Sequence, residues 1–175
     1  MTSPVPGKFE IFLSRIKSPA LLAVAQHWSE ARGKKRMPSW TDLSSSTLLA
    51  NDKRLWCYAY DPKTGHFTGR LSGGRTAKWV GSDVYGVHLK DLHAPANYEE
   101  VLQLLTKIVV RPLASRTSGR LFTVDSYIVS GERIALPLAE DGRTGDGILG
   151  ASDYEPPPLL GSLKLIHENV EWYAI

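Results

Sequence analysis

The chain has 175 residues, of which 42% are apolar and 22% charged, and its formal net charge is +3. These values are typical of one folded domain and exclude a disordered chain. One cysteine excludes a disulfide framework and a multi-cysteine metal site. No apolar run approaches the ~20 residues of a membrane span, and the N-terminus lacks the pattern of a secretory signal. We therefore expect a cytoplasmic protein with no membrane contact.

The N-terminal part predicts a loose arm followed by an amphipathic helix. Residues 1–17 contain two prolines and little periodicity. Ser18-Pro19 is typical of a helix start and Gly33 of a helix end, so we expect a helix over 19–32. Its apolar stripe contains Leu21, Val24, Ala25 and Trp28.

The next segment predicts a short helix over 42–49 and then a β-hairpin. Two apolar, alternating stretches at 55–60 and 67–71 are separated by a turn with Pro and Gly. Residues 75–93 are broken by glycines and predict single-turn helices.

The sequence after residue 96 predicts the longest helix. Asn97 and Glu100 have the spacing of a capping box, and Arg111-Pro112 ends the helix. One face of this helix is apolar and predicts burial of Val101, Leu105, Ile108 and Val109.

Strands are predicted from there to a proline-rich break at 155–158. We expect them at 113–117, 122–129, 133–138 and 147–151. Antiparallel strands around a helical block favour an α+β domain over a parallel-sheet fold.

Basic residues are concentrated near the N-terminus. Residues 1–36 hold seven basic and two acidic side chains, against 14 basic and 16 acidic in the remainder. A nucleic-acid or acidic-lipid contact is one interpretation. A solvated helix end is favoured, because the tight cluster is small and has no interleaved aromatic residues; it consists of Arg32, Lys34, Lys35 and Arg36.

No motif for catalysis or metal binding stands out. Cys57 lies within a predicted strand, where a free cysteine is usually a small buried apolar residue. None of the five histidines has metal-ligand spacing. The glycines of 65–74 do not form a phosphate loop, and residues 141–147 lack the acidic pattern of a calcium loop. We predict no catalytic residue and no metal.

The ordered set of segments resembles the stand-alone PAS-like sensor domains of bacteria, particularly alphaproteobacteria. The likeness spans residues 22–152. It is carried by Trp28 with Arg32-Gly33 and Met37-Pro38, by Phe67–Gly73, by Gly81–Gly86 with Leu89–Leu92, and by Arg111-Pro112, Leu136-Pro137-Leu138, Asp141-Gly142 and Ile148-Leu149-Gly150.

The resemblance implies a five-stranded antiparallel sheet of order 2-1-5-4-3, with helices over one face and an extra N-terminal helix. The domain boundaries would then be an arm and helix at 1–36, the PAS-like domain at 37–154 and a tail at 155–175. PAS domains bind small ligands between helices and sheet or act as interaction modules. The chain has neither the helical cysteine motif of a flavin photosensor nor a histidine in 97–110 for haem, so we expect no cofactor.

A ligand pocket and a filled core are both compatible with these patterns. A pocket would take a small apolar or amphipathic ligand, with Tyr58 and Arg70 as polar anchors. The candidates for its lining are Tyr58, Arg70, Leu71, Trp79, Tyr85, Leu89, Leu92, Val101, Leu105, Ile134 and Leu136.

The preferred hypothesis is a non-catalytic sensory or regulatory module that binds a small ligand or a protein partner and signals by protein–protein contact. A small enzyme and a nucleic-acid binder are the alternatives; the first is disfavoured because no paired acid–base or nucleophile arrangement is present, and the second because the solvated helix end is favoured. The apolar stripe of the first helix could dock on its own sheet, but we favour a homodimer. Its interface would contain Leu21, Leu22, Ala25 and Trp28.

Overall fold

A computed structural model describes residues 7–44, 52–72, 84–158 and 161–175 of the chain. The helices among them are α1 (Lys8–Arg15), α2 (Pro19–Arg32), α3 (Trp40–Ser44), α4 (Leu89–Leu92) and α5 (Pro95–Val110). The strands are β1 (Leu55–Asp61), β2 (His66–Ser72), β3 (Leu113–Val124), β4 (Tyr127–Leu138), β5 (Gly147–Tyr154), β6 (Leu163–Leu165) and β7 (Val170–Ala174).

The strands form one antiparallel sheet. Five of them follow the order β2-β1-β5-β4-β3, and β6 and β7 both pair with the outer edge of β3. This confirms the expected α+β class and the order 2-1-5-4-3.

The sheet separates two apolar layers, which we call the back and front faces. Alternate residues of β4 serve one face each: Ile134 and Leu136 lie in the back layer, while Ala135 lies in the front layer. The helices α1 and α2 cover the back face. The helix α5 covers the front face with its predicted apolar side, since Val101, Leu105, Ile108 and Val109 are buried.

The helix α2 has its predicted bounds. The Ser18 hydroxyl accepts a hydrogen bond from the Leu21 amide at 3.3 Å, and Gly33 ends the helix with a positive φ of 52°. Its stripe docks on the chain's own sheet, where the Trp28 indole donates to the Pro137 carbonyl at 3.0 Å.

This docking corrects the assignment of the stripe to a subunit interface. Leu21, Ala25 and Trp28 are fully buried within the chain, and the partly buried Leu22 packs against the same core. These side chains are not available to a second copy, because the sheet already covers them. A homodimer through another surface stays a prediction.

Two local predictions are wrong. Residues 8–15 form α1 instead of a loose arm, because Phe9 and Phe12 bury one side of the helix against the core. The predicted strand 122–129 is divided by a two-residue turn at Asp125-Ser126, with φ of 51° at Asp125. The hairpin of β3 and β4 is therefore longer than its sequence suggests.

The long helix starts earlier than predicted. Pro95 is its first residue and Ala94 its N-cap, so Asn97 is already the third helical residue and does not cap. Its buried side-chain amide instead donates to the Leu163 carbonyl at 3.1 Å. This contact joins α5 to the C-terminal segment.

The C-terminal segment is part of the sheet. β6 and β7 run in turn along the outer edge of β3, from Leu163 opposite Val124 to Ala174 opposite Leu113. On the back face, the centroid of the Tyr173 ring lies 5.4 Å from the ring centroid of Phe12 in α1. Pairing with β3 covers an edge that would otherwise expose unpaired backbone groups.

Some expectations fall on residues outside the described ranges. The end of the predicted helix 42–49, most of the glycine-rich segment after β2 and Trp79 belong to them. None of the helices that the structure describes is long and apolar enough to cross a bilayer.

Candidate functional site

A cavity of about 330 Å³ lies on the front face, between α5, the sheet and the segment 161–167. Ligand sites in proteins begin at about this size. Its apolar wall comes from α5 and from the strands at the β3 edge, with Val101, Leu104, Leu105, Phe122, Leu163 and Leu165.

The floor of the cavity is polar because of the register of the sheet. Arg133 on β4 lies directly between Ser152 on β5 and Thr117 on β3. All three side chains line the cavity, since directly opposite residues of antiparallel strands point to the same face. In the next row, Trp56 lies opposite Gly150, and the indole approaches this glycine so closely that a Cβ there would collide with the ring.

One serine connects the two largest groups of this floor. The Ser152 hydroxyl accepts hydrogen bonds from Arg133 Nε and from the Trp56 indole, both at 3.1 Å. Its two lone pairs are thereby used, which leaves its own O–H as a donor.

Arg133 has no acidic partner among the described residues. No carboxylate of that part of the chain lies within 4.0 Å of its guanidinium, and none of the described residues that line the cavity is acidic. Burial lowers the pKa of Arg133. The floor thus carries a positive charge with no counter-charge from this part of the protein.

The second arginine of the cavity wall is neutralised. Arg54 forms ion pairs with Asp52 at 3.3 Å and with Asp153 at 3.1 Å. The hydrogen bond that Arg54 Nε donates to Asp153 raises the pKa of the guanidinium.

Two histidines complete the wall. Burial, with smaller contributions from the charges of Arg133 and His167, lowers the pKa of His93 to about 4. Burial is also the main cause that lowers the pKa of His167. Repulsion from Arg133 contributes less in the same direction, and the charge of Glu100 opposes the shift. Both rings are therefore neutral at pH 7. Both ring nitrogens of His167 are buried, and neither has a hydrogen-bond partner among the described residues.

Tyr58 adds a neutral hydroxyl. Burial raises its pKa to about 12, against a smaller opposing effect of Arg133. The phenol therefore stays protonated over the physiological range and can donate a hydrogen bond.

Four of the residues predicted to line a pocket do so: Tyr58, Leu92, Val101 and Leu105. Leu71, Ile134 and Leu136 belong instead to the back layer, because strand alternation turns them away from α5. Leu89 is buried in the front layer beside α5 but does not line the cavity.

The remaining two described candidates also lie elsewhere. The Arg70 guanidinium lies 5.5 Å from the Trp40 ring centroid and does not line the cavity. Tyr85 is 73% exposed.

Sequence reasoning missed Arg133, His93 and His167. The alternation of β4 contained a signal for the arginine, because Arg133, Ala135 and Pro137 occupy the face opposite to Ile134 and Leu136. The histidines had no such signal, since each enters the cavity from an irregular segment.

Other candidate chemistry lies away from the cavity. Cys57 is in the back layer, where burial raises the pKa of its thiol to about 12. The described residues contain no group of three or more His, Cys, Asp and Glu side chains placed to hold a metal ion.

The basic cluster near the N-terminus is largely engaged within the chain. Lys35 Nζ pairs with Asp42 at 2.8 Å, and Arg36 Nε donates to the Ile175 carbonyl at 3.2 Å. The Arg32 guanidinium lies 4.8 Å from the Phe9 ring centroid. These contacts favour a helix end over a free basic arm.

Comparison with protein families gives one finding that covers most of the chain. The family model of the PAS domain matches residues 16–152, from the turn before α2 to within β5. The comparison with curated proteins gave no match, and neither did the comparison with solved structures. The match and the strand order of the sheet agree, and the chain belongs to the PAS domain family.

Proposed function

We propose that this chain is a sensory module that binds a small amphipathic molecule in the cavity between α5 and the sheet. Membership of the PAS domain family suggests a sensory or regulatory role. The observation that carries the proposal is a cavity of about 330 Å³ that joins apolar walls to a compact polar floor. Such a combination is typical of small-molecule sites.

Binding is favoured over catalysis by the state of the reactive groups. The thiol of Cys57 is protonated at neutral pH and lies on the face away from the cavity, whereas a nucleophilic cysteine needs a lowered pKa. His93, with its pKa of about 4, is a weak base at pH 7 compared with a general base tuned near the working pH. We therefore propose a non-catalytic module.

We also propose, on the basis of the sequence, that the module signals by contact with another protein. A homodimer and a cytoplasmic location are further parts of this proposal. Nucleic-acid binding is not proposed, because three members of the basic cluster have partners within the chain.

Native mass spectrometry of the purified protein tests the proposal. We expect a co-purified small molecule, or its return after incubation with a cell extract. The matched variants are Ala135→Leu, which adds bulk to the cavity, and Ala151→Leu, which adds the same bulk to the filled back layer.

The two variants should behave differently. Ala135→Leu should fold with a melting temperature near that of the wild type and lose the bound molecule. Ala151→Leu should lose about 1–3 kcal/mol of stability through overpacking. If the two variants are equally destabilised and no molecule binds the wild type, the front face is filled in solution and the proposal is wrong.

A further inference from the structure

The charge of Arg133, which has no ion-pair partner among the described residues, indicates the chemical class of the ligand more closely than the size of the cavity does. A charge that is withdrawn from water without a partner is unfavourable, and proteins normally pair it or place it at a ligand. Arg133 makes one hydrogen bond within the described chain, from Nε to Ser152. Its Nη donors are left for a partner that the described chain does not supply.

We propose that the cavity binds an organic monocarboxylate, with its carboxylate on Arg133 and its apolar body against α5. This inference rests on the proposed function and specifies its ligand class. A guanidinium presents N–H donors in a planar fork that matches the two oxygens of a carboxylate.

The groups around Arg133 suit the same anion. The Ser152 O–H, the Tyr58 phenol and the N–H of a neutral His167 are donors that line the cavity. A carboxylate offers about four lone-pair positions to such donors. The Trp56 indole, bonded to Ser152, holds the serine in place.

Charge favours a monocarboxylate over a phosphate ester. Arg54 is already neutralised by Asp52 and Asp153, and both cavity histidines are neutral at pH 7. Among the described residues that line the cavity, Arg133 is therefore the cation without an ion-pair partner, and a monoanion balances its single charge whereas a phosphate dianion exceeds it.

The walls define the rest of the ligand. The cavity is also lined by Val101, Leu104 and Leu105 of α5 and by Leu165 of β6, which offer no hydrogen bond from their side chains. At about 30 Å³ for each water molecule, the cavity has room for roughly ten water-sized groups. A short aliphatic chain or a single aromatic ring meets both limits.

Thermal-shift measurements and calorimetric titration with matched probes test this assignment. The probes are octanoate against 1-octanol, and benzoate against benzyl alcohol and phenyl phosphate. We expect at least one acid to raise the melting temperature of the wild type and to bind much more tightly than the corresponding alcohol. Benzoate should bind more tightly than phenyl phosphate.

Substitution of the arginine gives the second part of the test. Arg133→Met should lower the affinity for the acid at least about 30-fold. Without ligand, the melting temperature of this variant should equal or exceed that of the wild type, because the substitution removes a charge that has no ion-pair partner among the described residues. Arg133→Lys should bind at an intermediate level. Arg120→Met, which removes an exposed charge on β3, should leave binding unchanged.

The outcomes separate this inference from the proposed function. An alcohol that binds as well as its acid, or an Arg133→Met protein that binds the acid normally, overturns the carboxylate assignment and leaves the ligand cavity standing. A preference for phenyl phosphate also overturns it. If none of the probes binds and no molecule co-purifies with the wild type, both the assignment and the proposed function are wrong.

Discussion

The two faces of the β3–β4 hairpin each carry an arginine, and the two arginines differ in their ion pairs. On the back face, Arg116 lies opposite Ile134 and pairs with Glu132 at 2.6 Å and with Glu171 at 3.4 Å. On the front face, one residue further along, Arg133 has only the Ser152 hydroxyl as a described partner. The same residue type thus serves a closed network on one face and an open site on the other.

The back network has a structural purpose. The Glu132 carboxylate also accepts hydrogen bonds from the Lys17 and Ser18 amides at 2.7–3.1 Å. It therefore joins Arg116 to the start of α2, and every charge in the network has a partner. Burial of an arginine, as for Arg116, therefore does not by itself indicate a binding site. An arginine that lines a cavity and has no counter-charge among the described residues, as for Arg133, does.

The largest effect should come from breaking the closed network. Arg116→Met leaves the buried Glu132 carboxylate without its cation, and losing one partner of a buried pair costs about 3–5 kcal/mol. Urea unfolding of this variant beside Arg133→Met measures the difference between the faces. An equal loss of stability in both variants would show that Arg133 is also structurally paired.

Truncation of one leucine on each face should give a smaller contrast. Leu136→Ala in the filled back layer should cost about 3–5 kcal/mol, and Leu105→Ala at the cavity wall about 2 kcal/mol. Truncation of Leu105 costs less stability because this side chain, which borders the cavity, makes fewer van der Waals contacts. Both are fully or almost fully buried, so a difference in exposure does not explain this order; equal costs would argue for a filled front face.

The sequence predicts the framework of this fold well. Apolar periodicity identifies α2 and the buried side of α5, and turn residues identify the β1–β2 hairpin. These features depend on local patterns of a few residues, which tertiary contacts here reinforce. The turn at Asp125-Ser126 was missed because apolar residues flank it on both sides and no glycine or proline marks it.

The candidate site is less predictable because it depends on contacts far apart in the chain. Val101 and Leu105 follow from the periodicity of α5. Arg133 requires knowledge of which strand face meets α5, and His167 requires the return of the C-terminal segment to β3. The pairing of β6 and β7 joins residues about 40 to 60 positions apart, which no local pattern indicates.

The pH dependence of stability should distinguish the front face from the back. Since the pKa of His93 falls from 6.5 to about 4 on folding, the unfolded chain binds more protons between these values. Stability is then complete above about pH 6.5 and declines as the pH falls towards 4. We expect His93→Gln to remove up to about 2 kcal/mol of the difference between pH 7 and pH 5.

Urea unfolding of the wild type and of His93→Gln at the two pH values measures this contribution. His167 acts in the same direction, so the variant retains part of the slope. A wild type whose stability is equal at pH 7 and pH 5 would contradict the burial of these rings. Bound octanoate or benzoate should reduce the dependence of stability on pH, because an anion beside the two imidazole rings favours their protonated forms.

The smallest effect should come from the link between α5 and the C-terminal segment. Asn97→Ala removes the hydrogen bond to the Leu163 carbonyl and should cost about 1 kcal/mol. Hydrogen exchange should increase at the β6 amides that pair with β3, while Gln103→Ala, on the exposed side of α5, should leave them unchanged. Unaltered exchange in Asn97→Ala would show that this contact does not hold the segment.

Contact between the Arg133 guanidinium and an anion can be observed at the side chain itself. Its Nε–H resonance in a proton–nitrogen spectrum, assigned by its loss in Arg133→Lys, reports on this contact most directly. We expect this resonance to shift on addition of octanoate or benzoate, and to change little with 1-octanol or benzyl alcohol. A resonance that stays fixed with both acids, or that moves equally with acid and alcohol, would show that Arg133 does not bind the carboxylate.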